Sequence, residues 1–135
     1  MFKPGNHGTT FGGGPLVSVA GLTTLAVIER DGLLAHAARM GEALKSGLER
    51  EFAGVAGVKE VRGKGLMIGI ELDRPCGDLV KRALGAGLVI NVTADKVVRL
   101  LPPLVIQEAE VKRLVSLLAP LVKAFLAESP AATAA

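Results

Sequence analysis

The chain has 135 residues, 50% of them hydrophobic and 21% charged, with a formal net charge of +3. That suffices for one packed domain, while an aromatic content of 3%, without Trp or Tyr, leaves little with which to stack nucleobases. Interspersed charges such as Lys45/Glu49 argue against a nucleic-acid or membrane surface, and one cysteine, Cys76, with no leader-like or bilayer-length apolar run, predicts a cytoplasmic protein without an internal disulfide.

The most distinctive stretch comes first. Between Pro4 and Pro15 lie Gly5, Gly8, Gly12, Gly13 and Gly14, with His7, Thr9 and Thr10 among them. Pro15 suits the first turn of a helix, and glycines ahead of it let a ligand approach the backbone. The unpaired N–H groups of that turn, and the positive end of the helix dipole, favour a phosphate or carboxylate guest. Thr9 and Thr10 would add two hydroxyl donors. A plain helix-entry loop competes with this reading, because no lysine follows the glycines and no strand precedes them, as phosphate and dinucleotide loops require. A loop this specialised, with no element before it, suggests a chain that begins in the middle of something.

From Pro15 to about Arg30 the apolar residues cover most of a helix surface, which calls for burial on every side. Asp31-Gly32 should end it. Leu33 to Phe52 is a second helix with Leu33, Ala37, Met40, Leu44, Leu48 and Phe52 along one face and Arg39, Glu42, Lys45, Glu49 and Arg50 along another, so half of it should be exposed. Val58 to Arg62 and Leu66 to Leu72 form a hairpin around Gly63-Lys64-Gly65. Cys76 to Ala86 is a third helix, with Leu79, Val80, Ala83 and Leu84 inward. Two more strands follow, Leu88 to Val92 and Val97 to Leu101, with a turn at 93–96. Pro102-Pro103 ends the sheet, and Gln107-Glu108 open a final helix whose first turn is acidic, as the dipole favours. Pro120 should kink or divide that helix.

The order α-α-β-β-α-β-β-α predicts an α+β fold: a small, mainly antiparallel four-stranded sheet with helices on one face, preceded by a long apolar helix. The expected organisation is a loop over 1–14, the apolar helix over 15–32, a small α+β domain over 33–128 and a disordered tail over 129–135. So small a sheet cannot cover the first helix, which therefore asks for a missing domain or a second subunit.

Arg99 is the other chemical candidate. It sits in the aliphatic strand Val97-Val98-Arg99-Leu100-Leu101, sharing a face with Val97 and Leu101. Its guanidinium suits a carboxylate bound through two parallel hydrogen bonds; an edge-strand arginine reaching water explains it equally well. His7 could act as a base or stack on a ligand, although a local loop contact suits it better, and His36 falls on the solvated side of its helix. No His, Cys, Asp or Glu grouping has metal-ligand spacing, and neither Ser18 nor Cys76 has a base nearby. Arg62 and Lys64 read as parts of a hairpin turn rather than of a site.

Three motifs stand in order: Gly5-Asn6-His7-Gly8-Thr9-Thr10-Phe11-Gly12-Gly13, Val61-Arg62-Gly63-Lys64-Gly65-Leu66-Met67, and Val98-Arg99-Leu100-Leu101-Pro102-Pro103-Leu104-Val105-Ile106. Together they resemble the C-terminal third of class III pyridoxal-phosphate aminotransferases, with acetylornithine-type enzymes as the nearest subgroup, over about residues 2–127. Gly14 departs from the asparagine usual there. The resemblance implies pyridoxal 5'-phosphate as cofactor, contacted across a homo-oligomer interface. Thr10, with Gly8 and Thr9 beside it, would bind the cofactor phosphate of the opposite subunit; Thr9 would also reach substrate, and Arg99 would grip the substrate α-carboxylate. It further implies that the lysine holding the cofactor, the aspartate facing its ring nitrogen and the ring-stacking aromatic all lie upstream, in a large domain. Lys3 does not replace that lysine, so no catalytic residue is assigned to this chain and the chain alone should be inactive. The expected partners are that large domain or a second subunit, and an amino acid or 2-oxo acid substrate. Two rivals remain: a free-standing module that binds small anions through Gly8 to Gly14, and a structural partner docking its first helix on a full-length aminotransferase.

Overall fold

A computed structural model of the chain describes Lys3 and residues 8–128. His7 and the tail over 129–135 lie outside the described residues. The chain divides into two compact units, Met1–Leu34 and Ala35–Ala135.

The first unit is built on α1, Pro15–Arg30, which has a proline in its first turn, Gly14 at its N-cap and Asp31 at its C-cap. Its backbone bonds close as the sequence predicts, but none of its residues is buried. Leu16 is 83% and Leu22 68% exposed. An all-round apolar surface gives a helix no preferred side, and this one finds no core within the described chain.

In the second unit the strands β1 (Val58–Lys64), β2 (Met67–Leu72), β3 (Asn91–Thr93) and β4 (Val97–Leu100) pair antiparallel in the order β1-β2-β4-β3. Strand alternation sends Ile68, Ile70 and Leu72 of β2, and Val98 and Leu100 of β4, to one face, where all are buried. The helices α2 (Leu33–Phe52), α3 (Leu79–Gly85) and α4 (Glu108–Ala127) bring Leu44, Leu48, Leu79, Leu118 and Val122 into the same core. The opposite face of the sheet carries Met67, Gly69, Glu71, Val97 and Arg99 and stays open to solvent or half-buried.

Several local features differ from the sequence reading. The first hairpin pairs Lys64 with Met67, so its turn is Gly65-Leu66; only Gly65 takes positive φ, at 53°, and Leu66 folds into the core. A Cβ on Gly41 of α2 would collide with the backbone of Gly65, so the helix and the turn lie in direct backbone contact. In α3 only Leu79 and Ala83 point inward; Leu84 is 65% exposed, because a helix of seven residues offers one short stripe to the core. The third strand begins at Asn91 rather than Leu88. Pro120 does not divide α4, which is assigned as one helix over Glu108–Ala127: Pro120 and Ser116, whose carbonyl loses its helical donor, are both exposed, so water can satisfy that oxygen. His36 is not simply solvated. Its Nε2 donates to the Ile106 carbonyl at 2.7 Å, tying α2 to the segment that follows Arg99.

Candidate functional site

The candidate residues occupy two places, one in each unit. In the first unit Gly8, Thr9, Thr10 and Phe11 are exposed ahead of α1. The Gly14 N–H donates to the Phe11 carbonyl at 3.4 Å, closing a turn, and Ser18 N–H donates to the Gly14 carbonyl at 3.0 Å. No side chain caps the helix and no acidic residue sits in its first turn. The N–H groups of Leu16 and Val17 therefore lie at a helix start with a partial positive charge and no competing carboxylate. A Cβ at Gly12 would run into the Thr9 side chain, so the glycine lets the loop fold close over this threonine. A helix start with no side-chain cap, preceded in the chain by the exposed Thr9 and Thr10, offers donors of the kind that suit a phosphate.

In the second unit the site is the open face of the sheet, and strand register determines who faces whom. Arg62 pairs with Gly69, Gly69 with Arg99, and Arg99 with Asn91. Directly paired residues of an antiparallel sheet point to one side, so this row runs arginine, glycine, arginine, asparagine across the open face. The row beside it, Glu60, Glu71, Val97 and Thr93, carries both acids. Arg62 Nη1 donates to Glu71 Oε2 at 2.6 Å and to Glu60 Oε2 at 2.8 Å; these bonds, Glu71 first, hold its guanidinium protonated above the ordinary arginine value. Arg62 is thus neutralised locally, whereas Arg99 has no hydrogen-bond or ion-pair partner among the described residues. Gly69 puts no side chain between the two arginines. Here lies a hollow of about 250 Å³ whose lining includes Arg62, Lys64, Met67, Gly69, Val97 and Arg99.

An aliphatic floor beneath an unpaired guanidinium can receive a carboxylate and shield it in part from water. The edge-strand alternative for Arg99 does not hold, since β4 is an inner strand. The sequence reading assigned Lys64 to a turn, but its register with Met67 sets it on the same face as Arg99. The signal was present in Ile68, Ile70 and Leu72: once these point inward, Met67 and Gly69 must point outward, and so must their partners Lys64 and Arg62. Cys76 is fully buried and burial pushes its thiol up to about 11, which removes it as a nucleophile at neutral pH. Among the described residues there is no grouping of three or more metal-ligating side chains, and no helix is long and apolar enough to cross a membrane.

Four helices and an open, four-stranded antiparallel sheet define an α+β domain. The profile of the family described as Aminotransferase class-III matches residues 1–122, and the chain belongs to that family. It is 58% identical over 128 residues to acetylornithine aminotransferase 1 of Bordetella bronchiseptica, an alignment that takes in 95% of this chain and 33% of that protein. Among solved structures it resembles an ornithine delta-aminotransferase of Plasmodium falciparum, with a TM-score of 0.83 at 31% identity over 95% of this chain and 33% of that one. It also resembles the acetylornithine aminotransferase of Elizabethkingia anophelis, with a TM-score of 0.79 at 30% identity over 90% and 33% respectively. The chain thus spans about a third of the length of the curated relatives it matches.

Proposed function

We propose that this chain is the C-terminal part of an acetylornithine-type transaminase, a cytoplasmic homodimeric enzyme of arginine biosynthesis that moves an amino group from N-acetylornithine to 2-oxoglutarate. Arg99 carries the reading. It is the unpaired guanidinium of the open face, in a chain 58% identical to an acetylornithine aminotransferase, and its role is to hold the substrate α-carboxylate.

Pyridoxal 5'-phosphate, when bound in the complete enzyme, supplies the electron sink for amino transfer. Thr10, with Gly8 and Thr9 beside it, donates to the cofactor phosphate of the opposite subunit, and Thr9 also reaches substrate. The donor set ahead of α1 is compatible with that role: exposed hydroxyls, a helix start without a carboxylate and a close-folded glycine loop. The largely apolar surface of α1 suits cover by the rest of the enzyme or by a second subunit. The lysine that anchors the cofactor is assigned to the large domain, so the 135-residue chain alone turns over nothing. An unpaired, buried Cys76 fits a reducing cytoplasm.

The test supplies the purified chain with pyridoxal phosphate, N-acetylornithine and 2-oxoglutarate, alone and together with a polypeptide carrying the large domain. The expected result is no glutamate from the chain alone and turnover in the complex. In the complex Arg99→Gln lowers kcat/KM roughly 10- to 100-fold, the loss of one charge-assisted pair. Turnover by the chain alone overturns the assignment of the anchoring lysine, and an unchanged kcat/KM in Arg99→Gln overturns the carboxylate seat. A free-standing anion-binding module, favoured by the uncapped start of α1, predicts instead tight calorimetric binding of inorganic phosphate to the chain alone.

A further inference from the structure

Along its own chain direction Arg99 has an apolar neighbour on either side. The alternation of an extended backbone places Val97, Arg99 and then Leu101 on the open face. Val97 is fixed by pairing with Glu71 on one side and Thr93 on the other. Leu101 is not, because β4 ends at Leu100 and Leu101 opens the segment 101–107 that leads to α4. Leu101 and Val105 of that segment are exposed, and Pro102 and Pro103 have no N–H to give any partner. Where this segment lies beside Arg99 therefore depends on what holds its carbonyls.

Two of the bonds that hold it are local. Ile106 N–H donates to the Pro103 carbonyl at 3.0 Å, and Gln107 Nε2 donates to the Val105 carbonyl at 2.7 Å. Both move with the segment. A third comes from another element: His36 Nε2, near the start of α2, donates to the Ile106 carbonyl at 2.7 Å from 70 residues away. A carbonyl only accepts, so Nε2 carries the ring proton. The next residue, Ala37, is buried in the core, which gives the half-buried ring a fixed base. The Ile106 side chain is buried too, but apolar burial is non-directional, whereas a hydrogen bond has a preferred angle. His36 thus supplies a directional tie between the helical layer and the segment beside Arg99.

We propose that His36 is a positioning residue which, through the Ile106 carbonyl, holds Leu101 and the segment behind it as an apolar wall beside Arg99. The wall receives the aliphatic chain of an amino acid whose carboxylate lies on Arg99. The inference deepens the proposed function and rests on its assignment of Arg99. His36 touches neither substrate nor cofactor; it acts only by placing the segment. When the tie is lost the segment samples other arrangements, and the apparent affinity falls with the fraction of molecules still competent to bind. Turnover of substrate already bound, which the proposed function assigns to groups of the large domain, is unaffected.

The test uses His36→Ala, which removes the tie, and His36→Gln, which keeps a side-chain N–H donor. Both residues suit a helix and His36 is only half-buried, so both variants keep the fold. In the whole 135-residue chain, NMR relaxation is expected to show the Leu101, Leu104 and Val105 amides more mobile in His36→Ala, with β4 unchanged, and as in the parent in His36→Gln. In the complex with the large domain, His36→Ala raises KM for N-acetylornithine roughly two- to tenfold at constant kcat, the loss of one neutral hydrogen bond, and His36→Gln restores it. Unchanged mobility in His36→Ala, or a raised KM that His36→Gln leaves raised, overturns the tie. Greater mobility with an unaltered KM, or a fall in kcat alone, overturns the wall and leaves the role of Arg99 standing. An Arg99→Gln complex with the parent's kcat/KM, or a complex without turnover, overturns the proposed function and this inference together.

Discussion

Arg62 and Arg99 illustrate how little residue type alone determines. Both project from the same face of one sheet, one strand either side of Gly69. Arg62 meets Glu71 across the hairpin and Glu60 along its own strand, so its charge is spent internally. Arg99 faces Gly69 on one side and Asn91 on the other, and neither can neutralise it. Among the described residues the Arg99 guanidinium is therefore left without an acidic partner, at a defined place beside Met67, Gly69 and Val97. The same economy of small residues holds at Gly41, where any Cβ meets the backbone of Gly65. Backbone cannot rotate aside as a side chain can, so Gly41→Ala should destabilise the fold by about 1–3 kcal/mol, read as a lower urea midpoint with an unchanged slope. A midpoint within error of the parent would show that α2 and the turn separate freely.

Among the elements, α4 shows two separate means of holding its ends. At the start, Gln107 N–H donates to Glu110 Oε2 at 2.8 Å, within a capping box. At the end, Arg82 of α3 forms an ion pair with Glu128 and lies 5.5 Å from the centroid of the Phe125 ring. The hydrogen bond from Arg82 holds the Glu128 carboxyl below the ordinary carboxylate range. A carboxyl depressed in the folded state adds stability that is complete above its unfolded value and is lost as pH falls through the lower folded one. Thermal midpoints should thus be level from pH 8 to about 5 and fall below about 4.5, and Glu128→Gln should make that fall shallower. An identical acid profile in the variant would show that the pair contributes nothing to folding. Between the two ends, Pro120 sits exposed in an unbroken helix. Pro120→Ala restores a donor to the Ser116 carbonyl without removing buried surface, and should raise stability by about 1–2 kcal/mol after the loss of proline's restraint on the unfolded chain. A lower denaturant midpoint would mean that Pro120 makes a contribution its exposure does not reveal.

At the scale of the whole molecule, the two units have opposite surfaces. The second keeps a closed aliphatic core behind its sheet, whereas the first presents α1 with no buried residue. In water an uncovered helix of this kind is a site of association. The isolated chain should scatter light increasingly with concentration, and Leu22→Glu with Leu25→Glu should reduce that scattering; equal scattering by both forms would show that α1 is not the contact. The sequence by itself determined the elements and their order, because helical and strand periodicity, Pro15, the Asp31-Gly32 stop and the acidic first turn of α4 are local signals. It also determined that Arg99 points away from Val98 and Leu100, since alternation along a strand is local too. Only the tertiary structure decided that Arg62 is neutralised, that Arg99 and Lys64 share one hollow and that His36 holds the Ile106 carbonyl. Those facts depend on strand register and on which helix face meets the sheet, and both are set by the packing of Ile68, Ile70 and Leu72 against distant helices rather than by any neighbour along the chain.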